Sequence, residues 1–99
     1  MKKVKPIKVK NSDELVDFLG LDPVDSVEIE FRAKLNDKII EVVKTQELTH
    51  EKVAKLASTS RTRITAIMNR NTMDISSDLM LRVLASLGYL PKVSFKKAS

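Results

Sequence analysis

The chain has no cysteine. Neither a disulfide nor a thiolate metal site can therefore be built, which fits a reducing, cytoplasmic setting. The single histidine, His50, excludes a His-rich metal centre. Gly20 and Gly88 are the only glycines in 99 residues, so no phosphate-cradling loop of the G-x-G-x-x-G or G-x-x-x-x-G-K kind can be drawn. Tryptophan is absent and aromatic residues make up 4%, which leaves a thin core for one small domain. No apolar run approaches the roughly twenty residues of a membrane span. The basic first ten residues lack the apolar stretch of a secretory signal.

Catalytic arrangements are missing as well. A Ser/His/Asp set could only use His50, which stands at a helix start with no signal for an oxyanion hole. Asp13, Glu14, Asp17, Glu28 and Glu30 read as helix N-terminal charges and solvated faces. Met68, Met73 and Met80 read as core or rim filling. The expectation is a protein without enzymatic activity, catalytic residues, metal or cofactor.

Charge is unevenly spread. The net charge is +5, yet residues 1–10 carry five Lys and no acid, whereas residues 11–47 carry ten acids against four bases. Residues 48–75 return to five bases against two acids, and residues 76–99 to four against one. A uniform basic coat would not look like this. One face is suited to a polyanion, another to solvent or a protein.

The apolar spacing outlines the elements in order. Residues 1–10 form a basic arm, readable as a solvated tail or a short edge strand, or as an arm lying on phosphate or pairing with a second chain; Pro6 and the lysine density argue against a central strand. Asn11 or Ser12 can cap a short helix over 13–19 that ends at Gly20. Asp22-Pro23 reads as cap and first residue of the next helix. From there Val27, Phe31, Leu35, Ile39 and Val42 or Val43 recur every three or four positions to about Thr45, the mark of a long amphipathic helix. Residues 27–33 also alternate as a half-buried strand would. The helical period is preferred because it runs on to Val43 while the alternation stops at Ala33; Ile29 then falls off the main stripe.

The chain is organised around residues 48–88. Val53, Ala54, Leu56 and Ala57 form one short apolar pattern, and Ile64, Ile67 and Met68 another, each on one helix face. Ser58, Thr59 and Ser60 between them leave room only for a turn, so two short helices must cross steeply as a helix-turn-helix. Thr49 caps the first, with an incomplete capping box because Lys52 stands at its third position. Ser60 caps the second. That second helix carries Arg61, Thr62, Arg63, Thr65, Ala66, Asn69 and Arg70 away from the core, with three arginines and no acid. A cationic, hydrogen-bonding surface one helix wide suits a DNA major groove. A polar loop follows to Ile75. Ser76 caps a last helix over 77–87, with Leu79, Met80, Val83, Leu84 and Leu87 apolar and Gly88 as its stop. Residues 91–96 alternate with Val93 and Phe95 on one side and read as a single short strand. Such a strand needs a pairing partner in Ile7/Val9, in a twin chain or in another protein.

LTHEKVAKLASTSRTRITAIMNR resembles the helix-turn-helix of the lambda-repressor/Cro-like DNA-binding proteins, including antitoxins of HigA type. Leu48, Thr49 and His50 match the family's opening Leu-Thr-Gln. Glu51, the helix-packing Ala54, the Ser60 cap and the buried Ile64 follow in register, and ISSDLMLRVLASLGY resembles the next helix. Ser58 and Arg70 stand where the family usually has glycine; at the second of these places the flanking Asn69 and Asn71 tolerate a left-handed stop.

The resemblance implies an all-α domain of four to five helices, here with a basic arm at 1–10, a single helix-turn-helix domain over 11–99 whose DNA-binding core is 24–88, and a short C-terminal strand. It implies double-stranded DNA as partner, a homodimer on a two-fold site, and a recognition helix over 60–70. Arg61 and Thr62 then lie at base edges, joined by Thr65, Ala66 and Arg63. Thr49, His50, Ser60, Asn69 and Arg70 flank the helix where phosphates pass. His50 replaces the family's Gln; its neutral ring can donate one hydrogen bond and protonation strengthens it. Two readings result. One is a transcriptional repressor. The other is an antitoxin that neutralises a partner toxin and represses its own operon as a complex, favoured by the acidic 11–47 half and the unpaired Val93/Phe95 segment.

Overall fold

A computed structural model of the protein describes residues 23–97, the side chain of Pro23 excepted. They form four helices, α1 (Pro23–Thr45), α2 (His50–Ala57), α3 (Arg61–Met68) and α4 (Ser77–Ser86). The basic arm over 1–10 and the expected helix over 13–19 lie outside the described residues. The chain divides into two units, Met1–Lys34 and Leu35–Ser99. α1 contributes its first part to one and its second part to the other.

Residues 27–33 are helical, so the 3.6 period prevails over the competing alternation. Pro23 opens α1, where its missing N–H costs nothing. On the exposed flank Glu30 pairs with Lys34 at 3.1 Å and Lys38 with Glu41 at 3.5 Å, the one-turn spacings that support a helix by a few tenths of a kcal/mol each. The apolar stripe is buried at Leu35, Ile39, Val42 and Val43, and Ile40 joins it. Val27, expected on that stripe, is 67% exposed, and Phe31 is only half-buried. The period carries through the whole helix, but its burial begins only with Leu35. Ile29, off the stripe, is exposed.

The three serine and threonine caps form as their spacing requires. Each has extended backbone, and its hydroxyl oxygen accepts the N–H three residues on: Thr49 from Lys52 at 3.1 Å, Ser60 from Arg63 at 3.2 Å, Ser76 from Leu79 at 3.1 Å. At the other end all four helices close with the same pair of bonds. The N–H of Leu48 reaches Val43 O, Thr59 reaches Ala54 O, Asn71 reaches Ala66 O, and Tyr89 reaches Leu84 O, at 2.8 to 3.2 Å. A 5→2 bond lies inside each, which makes four Schellman closures. The residue inside each closure is left-handed: Glu47, Ser58, Arg70 and Gly88. Only the last is the residue that adopts this conformation without strain. At the end of α3 the left-handed position falls on Arg70 itself, not on either neighbouring asparagine. The 6→1 bond of Asn71 requires the residue before it to turn, and that residue is Arg70. α3 therefore ends at Met68, shorter than the expected 60–70.

α2 packs against both α3 and α4. Val53, Ala54 and Ala57 on α2, Ile64 and Ile67 on α3, and Met80, Val83 and Leu84 on α4 are buried, with Ile75 and Leu87 at the edges of the last helix. Burying each of the larger side chains among these stabilises by about 1.5–3 kcal/mol, and each alanine by less. Leu56 is 46% exposed; two residues on from Ala54 it points about 160° away from that side chain, outside the arc of Val53, Ala54 and Ala57.

Residues 91–97 form no strand, and no strand occurs among the described residues. The reason is pairing. Alternation alone gives no ladder, and no second extended segment lies alongside among the described residues. Leu90, Val93 and Phe95 are all strongly exposed. None of the described helices is long and apolar enough to cross a membrane.

Candidate nucleic-acid interface

The three-residue turn 58–60 sets α3 across α2. Ile64 and Ile67, both 0% exposed, fix which side of α3 faces inward. One helical turn apart and opposite them lie Thr62 and Ala66, with Thr65 beside Ala66 and Arg61 and Arg63 on the two flanks. Arg61, Thr62 and Arg63 are exposed, whereas Thr65 and Ala66 are half-buried. Among the described residues nothing pairs with the two guanidinium groups, and the first turn of α3 contains no acid. Two cations thus stand at the positive end of the helix dipole, an arrangement that costs a few tenths of a kcal/mol or more.

The residues expected at phosphates lie at the edges of this face. Thr49 and Ser60 hold the N-termini of α2 and α3. Each hydroxyl oxygen is occupied as an acceptor, and its hydrogen remains available to an anion. Those helix starts also present free backbone N–H groups. Asn69 and Arg70 form the closing turn of α3 and are exposed.

Two contacts change the picture drawn from sequence. His50 Nδ1 lies 2.9 Å from Thr65 Oγ1. The first residue of α2 and the middle of α3, assigned separately to phosphate and base, form one hydrogen-bonded unit. With the ring proton on Nε2, Nδ1 accepts the Thr65 hydroxyl. With a proton on Nδ1, the ring donates and frees that hydroxyl for another acceptor. Arg70 also has a partner within the chain: its Nη1 is 2.7 Å from Asp37 Oδ1 on α1.

Sequence reasoning missed α1 as a contributor. Asn36, 5% exposed, donates from Nδ2 to Ile67 O at 2.9 Å, and Asp37 is the next residue. A polar residue at 36, four and seven positions before the apolar Ile40 and Val43, was a visible signal of a polar group on the apolar face in need of a hydrogen-bond partner.

Two short packed helices joined by a three-residue turn with a left-handed Ser58, the second carrying two arginines with no partner among the described residues, define a helix-turn-helix DNA-binding domain. A family model described as "Helix-turn-helix domain" matches residues 15–94. The chain belongs to that helix-turn-helix domain family. No curated protein and no solved structure gives a match to it.

Proposed function

We propose that the protein is a sequence-specific, double-stranded-DNA-binding transcriptional regulator of lambda-repressor/Cro-like, HigA-like type, acting as a dimeric repressor in the cytoplasm. α3 enters the major groove. Arg61 and Thr62 contact base edges, with Arg63 and Thr65 adding hydrogen bonds and Ala66 leaving room for the bases or meeting a thymine methyl. Thr49, His50, Ser60, Asn69 and Arg70 hold the phosphates on either side. The observation that carries this reading is the first turn of α3, where Thr62 is exposed between Arg61 and Arg63 on its two flanks and no acid stands among them.

The test is a binding titration on a duplex selected from a randomised pool and on its scrambled counterpart. Arg61→Ala costs about 1–3 kcal/mol on the selected site and relaxes preference at one base. An equal loss on both duplexes would make Arg61 a phosphate contact and move the reading face elsewhere.

A second reading has its own support. Leu90, Val93 and Phe95 are 81%, 67% and 94% exposed beside Lys92, Lys96 and Lys97. Apolar groups so placed favour a protein partner. An antitoxin that binds a toxin through this segment, and DNA through α3, accommodates both surfaces.

A further inference from the structure

Six residues converge where the recognition helix ends. The carbonyl of Ile67 accepts two hydrogen bonds, from the Arg70 N–H at 3.0 Å and from Asn36 Nδ2 at 2.9 Å. The Asn71 N–H to Ala66 O bond, 2.8 Å, fixes the left-handed turn at Arg70 from the other side. From the residue beside Asn36, Asp37 takes Arg70 Nη1 at 2.7 Å. α1 therefore grips both the backbone and the side chain of this turn, the backbone through a buried amide and the side chain through an exposed carboxylate.

Asp37 comes from the acid-rich 11–47 stretch but meets the basic 48–75 stretch at Arg70. Residues 48–75 carry only Glu51 and Asp74 as acids, and a carboxylate beside a phosphate track repels it. The guanidinium, however, has five N–H donors in a rigid fork, and the contact with Asp37 engages Nη1. Its remaining donors have no described protein partner, and the side chain is 57% exposed. An arginine held at one end and open at the other loses less rotational freedom on meeting a second anion than one waving in solvent.

We propose that Asp37 is a positioning residue for DNA binding: it holds the Arg70 guanidinium so that the remaining donors meet a backbone phosphate, giving an Asp37–Arg70–phosphate bridge. This rests on the reading above that Arg70 lies at a phosphate. Asn36 sets the backbone half of the same device.

The test is a double-mutant cycle on the full chain with a mixed-sequence duplex, since a phosphate contact needs no cognate site. Affinity is measured over a range of salt for the wild type, Asp37→Asn, Arg70→Ala and the double variant, with thermal melting as the control for folding. Arg70→Ala lowers the slope of log affinity against log salt by about one. Asp37→Asn lowers it by a similar amount and weakens binding up to about fivefold, the range of an exposed ion pair, while the melting temperature stays put. Asp37→Glu restores the slope, and Asp37→Asn changes nothing further in the Arg70→Ala background. Tighter binding by Asp37→Asn with an unchanged slope would make Asp37 a mere repellent and overturn the proposal. Additive effects in the double variant would overturn it too. If Arg70→Ala leaves the slope unchanged while the duplex still binds, Arg70 is not at a phosphate and the bridge falls while DNA binding stands. If the wild type binds no duplex, the DNA reading itself fails.

Discussion

Arg61 and Arg63 occupy the first turn of α3, where the free N–H groups already present positive charge. Stability alone would favour acids there. Ser58 is another residue whose place is unfavourable for folding: with φ 55 and ψ 48 it holds a left-handed turn, a conformation costing roughly 1–2 kcal/mol for a residue with a Cβ. No hydrogen bond of its side chain offsets that cost among the described residues. Ser58→Gly removes the strain, at an entropic cost of roughly 0.5–1 kcal/mol in the unfolded chain. The expected outcome is a gain of up to about 1 kcal/mol, seen as a rise of a few degrees in the melting temperature. A lower melting temperature would show that the serine side chain contributes something the turn geometry does not require.

At the scale of elements, what could be read from sequence was what is local. Thr49, Ser60 and Ser76 each bond to an N–H three residues away, so residue type and spacing identify them without knowledge of the fold. The inward face of α3 was legible for the same reason: Ile64 and Ile67 follow the helical period and are fully buried. What escaped was non-local. Asp37 and Arg70 meet across 33 positions, Asn36 and Ile67 across 31, and His50 and Thr65 across 15. Periodicity says which face a residue is on but not which neighbour covers it, which is why Val27 and Leu56 fit apolar patterns and are exposed. The C-terminal alternation failed similarly, since a strand exists only with a partner. The packing of α3 yields a sharp prediction. Ile64→Asp puts an unpaired charge where the native side chain is 0% exposed. That penalty of several kcal/mol compares with a total stability of roughly 5–15 kcal/mol. The variant should lose its cooperative melting transition in circular dichroism. An unchanged melt would mean that α3 is rotated about its axis.

For the whole molecule, charge and surface suggest how the protein meets its partners. Acids dominate residues 11–47 and bases the rest, so the charge that attracts a polyanion is concentrated in particular stretches of the chain. A thin core, exposed apolar side chains near the C-terminus and the two-fold sites that helix-turn-helix proteins occupy favour a dimer. Light scattering at micromolar protein should give about twice 11.1 kDa; a monomer both alone and on a palindromic duplex would rule the dimer out. The central claim, that the exposed face of α3 reads sequence, is tested most directly by selecting bound duplexes from a randomised pool with the wild type and with an Arg61→Ala/Thr62→Ala/Arg63→Ala variant. The wild type should enrich one inverted repeat with half-site centres about 34 Å apart. The variant should retain folding and weak, salt-sensitive binding but enrich no sequence. Enrichment of the same repeat by the variant would contradict the account, because some other surface would then be reading the DNA.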